Sequence, residues 1–212
     1  MNRLENKPMG FFGNNPVLGL ALGLTTALAV TNSVTNALGM GVLTFILVIL
    51  AAVLGAVVKM VTPEEMLIPV NLVITAFLAK LGELFVLAFA SSLATSVGIF
   101  LPLLAVNSLV LYATGAFHKE GSFGTSIMKA FSSGAAYVVA LLVVAFVREL
   151  LGTGGVNLLN PFNGAALFSF SVLSSEFTLG LFTQPMGALL TVALVAGLFQ
   201  ALSKAPEEKG GK

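Results

Sequence analysis

The chain contains no cysteine, no aspartate and no tryptophan, and a single histidine, His118. Without thiols there is no disulfide, no zinc–thiolate site and no iron–sulfur cluster held by cysteines of this chain. One histidine builds no His-rich metal site, and His118 reads as a solvated loop residue. Without Trp, aromatic anchoring at a membrane interface falls to Phe and Tyr. Charge is scarce as well. Only 9% of the 212 residues are charged and 57% are hydrophobic, where a soluble domain carries roughly 25% charged residues. So few charges cannot cover a water-facing surface, so most of the surface faces lipid. The net charge of +1 leaves no basic face for phosphates, which excludes nucleic acid as a partner. No Walker loop, Rossmann fingerprint or Ser–His–Asp order is present, and no catalytic residue is assigned.

What is present is long apolar runs. A bilayer core takes about 20 apolar residues per helix. Six stretches meet or approach that length: residues 16–35, 37–61, 67–91, 93–117, 131–151 and 186–202. The expected fold is therefore an all-α integral membrane protein of six transmembrane helices. Residues 14–203 form its membrane domain, preceded by a cytoplasmic segment 1–13 and followed by a disordered cytoplasmic tail 204–212. Arg3 and Lys7 ahead of the first run resemble a secretory signal, but that run starts late and is Gly-rich, so it reads as a span. Residues 165–182 are apolar yet broken by Ser169, Ser171, Ser174, Ser175 and Glu176. They read as a re-entrant or interfacial piece, or as a long loop packed on the bundle.

Basic residues give the orientation. Arg3, Lys7, Lys59, Lys119, Lys129, Lys204, Lys209 and Lys212 fall on one side or its edge if six spans alternate. The positive-inside rule then puts both termini in the cytoplasm.

The first and fourth spans look broken. The first carries Thr25, Thr26, Thr31, Asn32, Ser33, Thr35 and Asn36; the fourth carries Pro102, Asn107 and Ser108. Leu28-Ala29-Val30 also matches Leu104-Ala105-Val106 at an offset of 76 residues. Interrupted spans at matching places in two halves point to inverted repeats, about 14–91 and 92–203, with a polar site near the midplane. The competing reading is that Thr, Ser and Gly only let helices pack closely.

Two charges lie within the third span. Lys80 and Glu83 are three residues apart and share a helix face. A mid-bilayer charge costs roughly 2.5–3.5 kcal/mol on insertion scales. The pair is either a cation or proton site at Glu83 modulated by Lys80, or a static ion pair. Arg148 and Glu149 close the fifth span before Gly152 and read as a helix end, with Gly152 at the C-cap. Thr62, Pro63, Glu64 and Glu65 read as a helix start with Thr62 as N-cap.

The segments Asn14-Asn15-Pro16-Val17, Leu22-Gly23-Leu24, Ala27-Leu28-Ala29-Val30-Thr31 and Asn36-Ala37-Leu38-Gly39-Met40-Gly41 recur in one known family. So do Thr62-Pro63-Glu64-Glu65, Ile68-Pro69, Gly98-Ile99-Phe100-Leu101-Pro102-Leu103, Val106-Asn107 and Arg148-Glu149-Leu150-Leu151-Gly152. In this order and spacing they resemble the membrane subunits of Rnf and Nqr ion-translocating oxidoreductase complexes, most closely the RnfE/NqrD type, related to RnfA/NqrE.

The resemblance implies an inverted three-plus-three fold in a bacterial inner membrane, paired with a homologous subunit of opposite topology and with other subunits of the complex. It implies Na+ or H+ as the translocated ion. In the family each of the two subunits supplies two cysteines to a shared 2Fe–2S cluster near mid-membrane, which relays electrons. Thr25 and Ser108 stand where those cysteines are expected, so no cofactor is expected from this chain itself. Tyr112-Ala113-Thr114-Gly115 also stands where the family tends to carry Gly-Arg-Ala-Glu. The candidate ion-pathway residues are Glu83, Lys80, Thr31, Asn32 and Asn107, and Glu83 looks like an acid of the sister subunit type. The alternative is a small ion-coupled transporter or channel with the same fold and no redox role. A third reading is a structural scaffold.

Overall fold

The computed structural model describes Leu18 and residues 21–115, 123–160, 162, 164–171 and 179–204. Arg3, Lys7, His118, Lys119, Glu176 and the tail beyond residue 204 lie outside the described residues.

Three helices are long and apolar enough to cross a bilayer: α2 (Val34–Lys59), the run formed by a 3-10 turn (Glu64–Met66) and α3 (Leu67–Phe89), and α6 (Phe123–Thr153). A shorter apolar helix, α7 (Pro185–Lys204), follows late in the chain. These four match the second, third, fifth and sixth expected spans. The stretches assigned to the first and fourth spans hold no long helix among the described residues. Among the described residues the first contains only the seven-residue α1 (Leu24–Val30), and α2 begins at Val34, inside the stretch assigned to the first span. The fourth breaks into α4 (Ser91–Val97), 3-10 turns Gly98–Phe100 and Pro102–Val106, and α5 (Ser108–Ala113).

The core forms chiefly where α2 meets α6. Met40, Leu47, Val48 and Ala51 are buried with Tyr137, Ala140, Leu141 and Val144. Small residues bring the two helices close, because hydrocarbon drives no association between apolar faces and close packing must. A Cβ on Gly134 would lie 2.7 Å from the Phe45 ring, so α6 has no room for a side chain there.

Two expected caps are corrected. Thr62 does not cap; Pro63 holds the N-cap position of the Glu64–Met66 turn, with no side-chain bond. Gly152 is not the C-cap of α6, which runs on to Thr153; Gly154 takes the left-handed conformation, φ 78°. Gly152 is instead small because Thr183 packs on it: a Cβ there would sit 2.8 Å from Thr183 Cγ2.

The all-α expectation holds for the bulk of the chain, with one exception. Strand β1 (Gly155–Leu159) pairs antiparallel with β2 (Ala166–Ser171), Asn157 opposite Ser169 and Leu158 opposite Phe168. Asn160 makes the turn: its side chain accepts from Phe162 N–H at 2.9 Å, and Gly164 continues it at φ 69°.

This hairpin gathers the loops that the span count assigns to one side. Thr35, at the start of α2, bonds Asn157 and Leu159, and Gly164 lies against Ser92 at the start of α4. At another point α2 meets the end of the fourth span, where a Cβ on Gly55 would collide with the Thr114 backbone.

Candidate functional site

The two interrupted spans meet. Gly23 precedes α1 with φ 69°, and its N–H donates to Ser108 Oγ at 2.8 Å. A Cβ on Gly23 would stand 2.8 Å from Tyr137 Cε2, so conformation and space both demand glycine. Thr26 Oγ1 donates to Gly23 O at 2.9 Å and also contacts the Tyr137 hydroxyl at 2.5 Å. Asn107 Nδ2 donates to Thr26 Oγ1 at 3.0 Å, while its Oδ1 accepts from Leu109 N–H at 2.9 Å and caps α5. Thr26, Asn107 and Tyr137 are all buried. Ser108 thus satisfies the Gly23 N–H ahead of α1, and Asn107 ties α5 to Thr26 while capping its own helix. Thr25 and Ser108 flank this junction and are exposed.

The two segments matched at an offset of 76 residues differ in conformation. Residues 28–30 are α-helical, whereas 104–106 lie in a 3-10 turn.

A second buried polar knot sits at the other end of α1. Arg148 Nη1 donates to Thr31 Oγ1 at 2.7 Å and to Leu28 O at 3.2 Å; Nε donates to Phe182 O at 3.1 Å. Its Nη2 donates to Thr183 O and Gln184 O at 3.5 and 3.4 Å. The guanidinium thus satisfies carbonyls at the C-terminal end of α1, where a cation is favoured, and of the turn Gly180–Thr183 before α7. Next to it, Glu149 Oε2 accepts from Val34 N–H at 2.6 Å and Oε1 from Asn157 N–H at 2.7 Å. Ser33 holds the N-cap position of α2 but makes no capping bond; Glu149 of α6 caps in its place. Adjacent residues of one helix thereby pin both sides of the break at residues 31–33.

Of the candidate residues, Asn107 and Ser108 come together with Gly23 and Thr26, and Thr25 lies beside them. Thr31 is held by Arg148. Asn32 is exposed and accepts from Asn36 Nδ2 at 3.3 Å. Lys80 Nζ lies 3.0 Å from Glu83 Oε2 on α3, with the Lys80 side chain 62% exposed and that of Glu83 18%. Thr26, Tyr137, Arg148 and Glu149 are not among the expected site residues. Arg148 and Glu149 read as an ordinary helix end in the sequence, although two charges so close to an apolar run carry a signal.

Residues 7–203 match the family model described as Rnf-Nqr subunit, membrane protein. The chain belongs to the Rnf-Nqr subunit family. It is 30% identical to the E subunit of the Na(+)-translocating ferredoxin:NAD(+) oxidoreductase complex of Acetobacterium woodii, over 96% of this chain and 99% of that one. It is 31% identical to the E subunit of the ion-translocating oxidoreductase complex of Methanosarcina acetivorans, over 70% of this chain and 67% of that protein. The corresponding protein of Shewanella oneidensis is 33% identical over 72% of this chain and 67% of its own length.

This Rnf-Nqr subunit does not fit an iron–sulfur cluster of its own. Iron in such clusters takes thiolate, and the chain has no cysteine. The Ser108 hydroxyl is already the acceptor for Gly23 N–H. No group of three or more His, Cys, Asp or Glu that could hold a metal occurs among the described residues.

Proposed function

We propose that the chain is a membrane subunit of an Rnf-like complex that couples electron transport to cation translocation, and that it works without contributing ligands to a cluster. The observation that carries this reading is the Gly23–Ser108 and Thr26–Asn107 junction, with Thr25 and Ser108 exposed beside it. A short helix follows each break, which supports two inverted three-helix repeats, about 14–91 and 92–203, within a membrane domain 14–203. Both termini lie in the cytoplasm of a bacterial cell and the domain in its inner membrane. Na+ or H+ is the translocated ion, and the Acetobacterium woodii relative is named as Na+-translocating.

The exposed polar rim is covered by a homologous subunit of opposite topology. Lys80 adds to this. Its ammonium projects from mid-α3 beside the apolar exposed residues Phe77 and Leu84. In bare lipid such a charge costs roughly 2.5–3.5 kcal/mol, which contact with another protein chain offsets. Glu83, held by Lys80, is the carboxylate placed to meet a passing cation.

The test is purification of the tagged chain from its own membranes. The expected result is recovery with a second Rnf-Nqr subunit and other complex subunits, and no iron on this chain once separated. Ion flux through liposomes holding this chain alone would establish the transporter reading instead.

A further inference from the structure

We propose that the β1–β2 hairpin is a membrane-interface anchor whose aromatic face rests in the headgroup region of the bilayer. The segment is made for such a place. From Leu150 to Ser175 the sequence has no Asp, Glu, Lys or Arg. Phe168 and Phe170 lie on one face of β2, their ring centroids 6.4 Å apart, and are 60% and 58% exposed. A hairpin in water would bury those rings on the bundle and turn its serines outward; here the whole of β2 is exposed.

The two edges of the sheet fix the depth. The outer edge of β1 is closed by side chains from the bundle: Asn157 N–H by Glu149, and Asn157 O and Leu159 N–H by Thr35. Among the described residues nothing pairs with the outer edge of β2. Hydrocarbon does not tolerate an open sheet edge, whereas the hydrated headgroup layer supplies water to it. The hairpin also continues the lipid-facing band of the bundle. Phe162 at its tip lies at an apolar groove of about 500 Å³ between α2 and α3, lined by Leu38, Val42, Ile46, Phe85 and Phe89. Phe thus takes the interfacial place that Trp and Tyr hold elsewhere.

The chain has no Trp, so Phe168→Trp and Phe170→Trp each introduce a single reporter at an exposed site. The full chain is placed in phosphatidylcholine vesicles brominated either near the glycerol end or near the methyl end of the acyl chains. The expected result is about two-fold quenching by bromine near the glycerol end and less by bromine near the methyl end, with little effect of aqueous iodide. Ile46→Trp, in the lipid-facing groove, should show the reverse preference for bromine depth. Quenching of the Phe168→Trp variant by iodide and by neither brominated lipid would overturn the proposal. So would its shielding from both in the assembled complex, which would mean a protein strand covers β2. Loss of bromine quenching from Ile46→Trp as well would strike the membrane placement of α2, not the hairpin alone.

Discussion

Arg148 reaches Thr31 across 117 positions of the chain, its Nη1 2.7 Å from the Thr31 hydroxyl, both side chains buried. Its hydrogen-bond partners are all neutral oxygens, of Leu28, Thr31 and residues 182–184. Arg148→Met leaves those carbonyls without donors and should destabilise the chain by about 3 kcal/mol. Arg148→Lys keeps the charge but loses the fork and should recover only part of this. Thermal unfolding in detergent measures both, and equal stability of Arg148→Met and the parent would contradict the assignment.

Glu149→Gln tests the other half of the knot. The carboxylate accepts two backbone N–H groups, one at the start of the 26-residue α2. An amide can accept only through its oxygen, so one N–H is left facing a donor. The expected loss is about 1–3 kcal/mol, seen as a lower melting temperature and faster protease cleavage in the hairpin.

At the junction, Gly23→Ala should prevent stable assembly. It forces a side chain into a left-handed backbone and onto the Tyr137 ring. Strain of that kind costs about 1–3 kcal/mol before any clash is counted. Tyr137→Phe is the mild counterpart: it removes one hydroxyl from Thr26, which keeps its bonds to Gly23 and Asn107, and should cost about 1 kcal/mol. Yields of folded protein from membranes separate the two; equal yields would contradict the packing.

How much of this can be read in the chain follows from distance along it. The long helices announce themselves by apolar length, and the breaks by Thr, Asn and Ser inside apolar runs. Asn107 and Ser108 are legible for that reason. The partners of Arg148 and Glu149 are not, because most lie 34 to 120 positions away and no local pattern names them. The hairpin is hidden because β1 and β2 span five and six residues, too few for alternation to stand out from an apolar run. The Leu-Ala-Val recurrence does not carry over to conformation: it is helical at 28–30 and a 3-10 turn at 104–106.

Glu83→Gln tests the ion route. Glu83 is the salt-bridge partner of Lys80 on a helix read as a span, so neutralising it leaves the ammonium without that partner and should cost up to roughly 3 kcal/mol. The complex should assemble, and cation transport by it should fall at least about ten-fold if an intramembrane carboxylate carries the ion. Undiminished transport in the Glu83→Gln complex would remove Glu83 from the route.

The chain has no native thiol, so whether the two interrupted stretches meet beside positions 25 and 108 can be measured directly. A Thr25→Cys/Ser108→Cys variant in native membranes is treated with a short bifunctional maleimide and then cut with trypsin at Lys59, the last residue of α2. The fragments carrying positions 25 and 108 are expected to stay joined within one chain. Their release as separate fragments, with both thiols labelled, would contradict it.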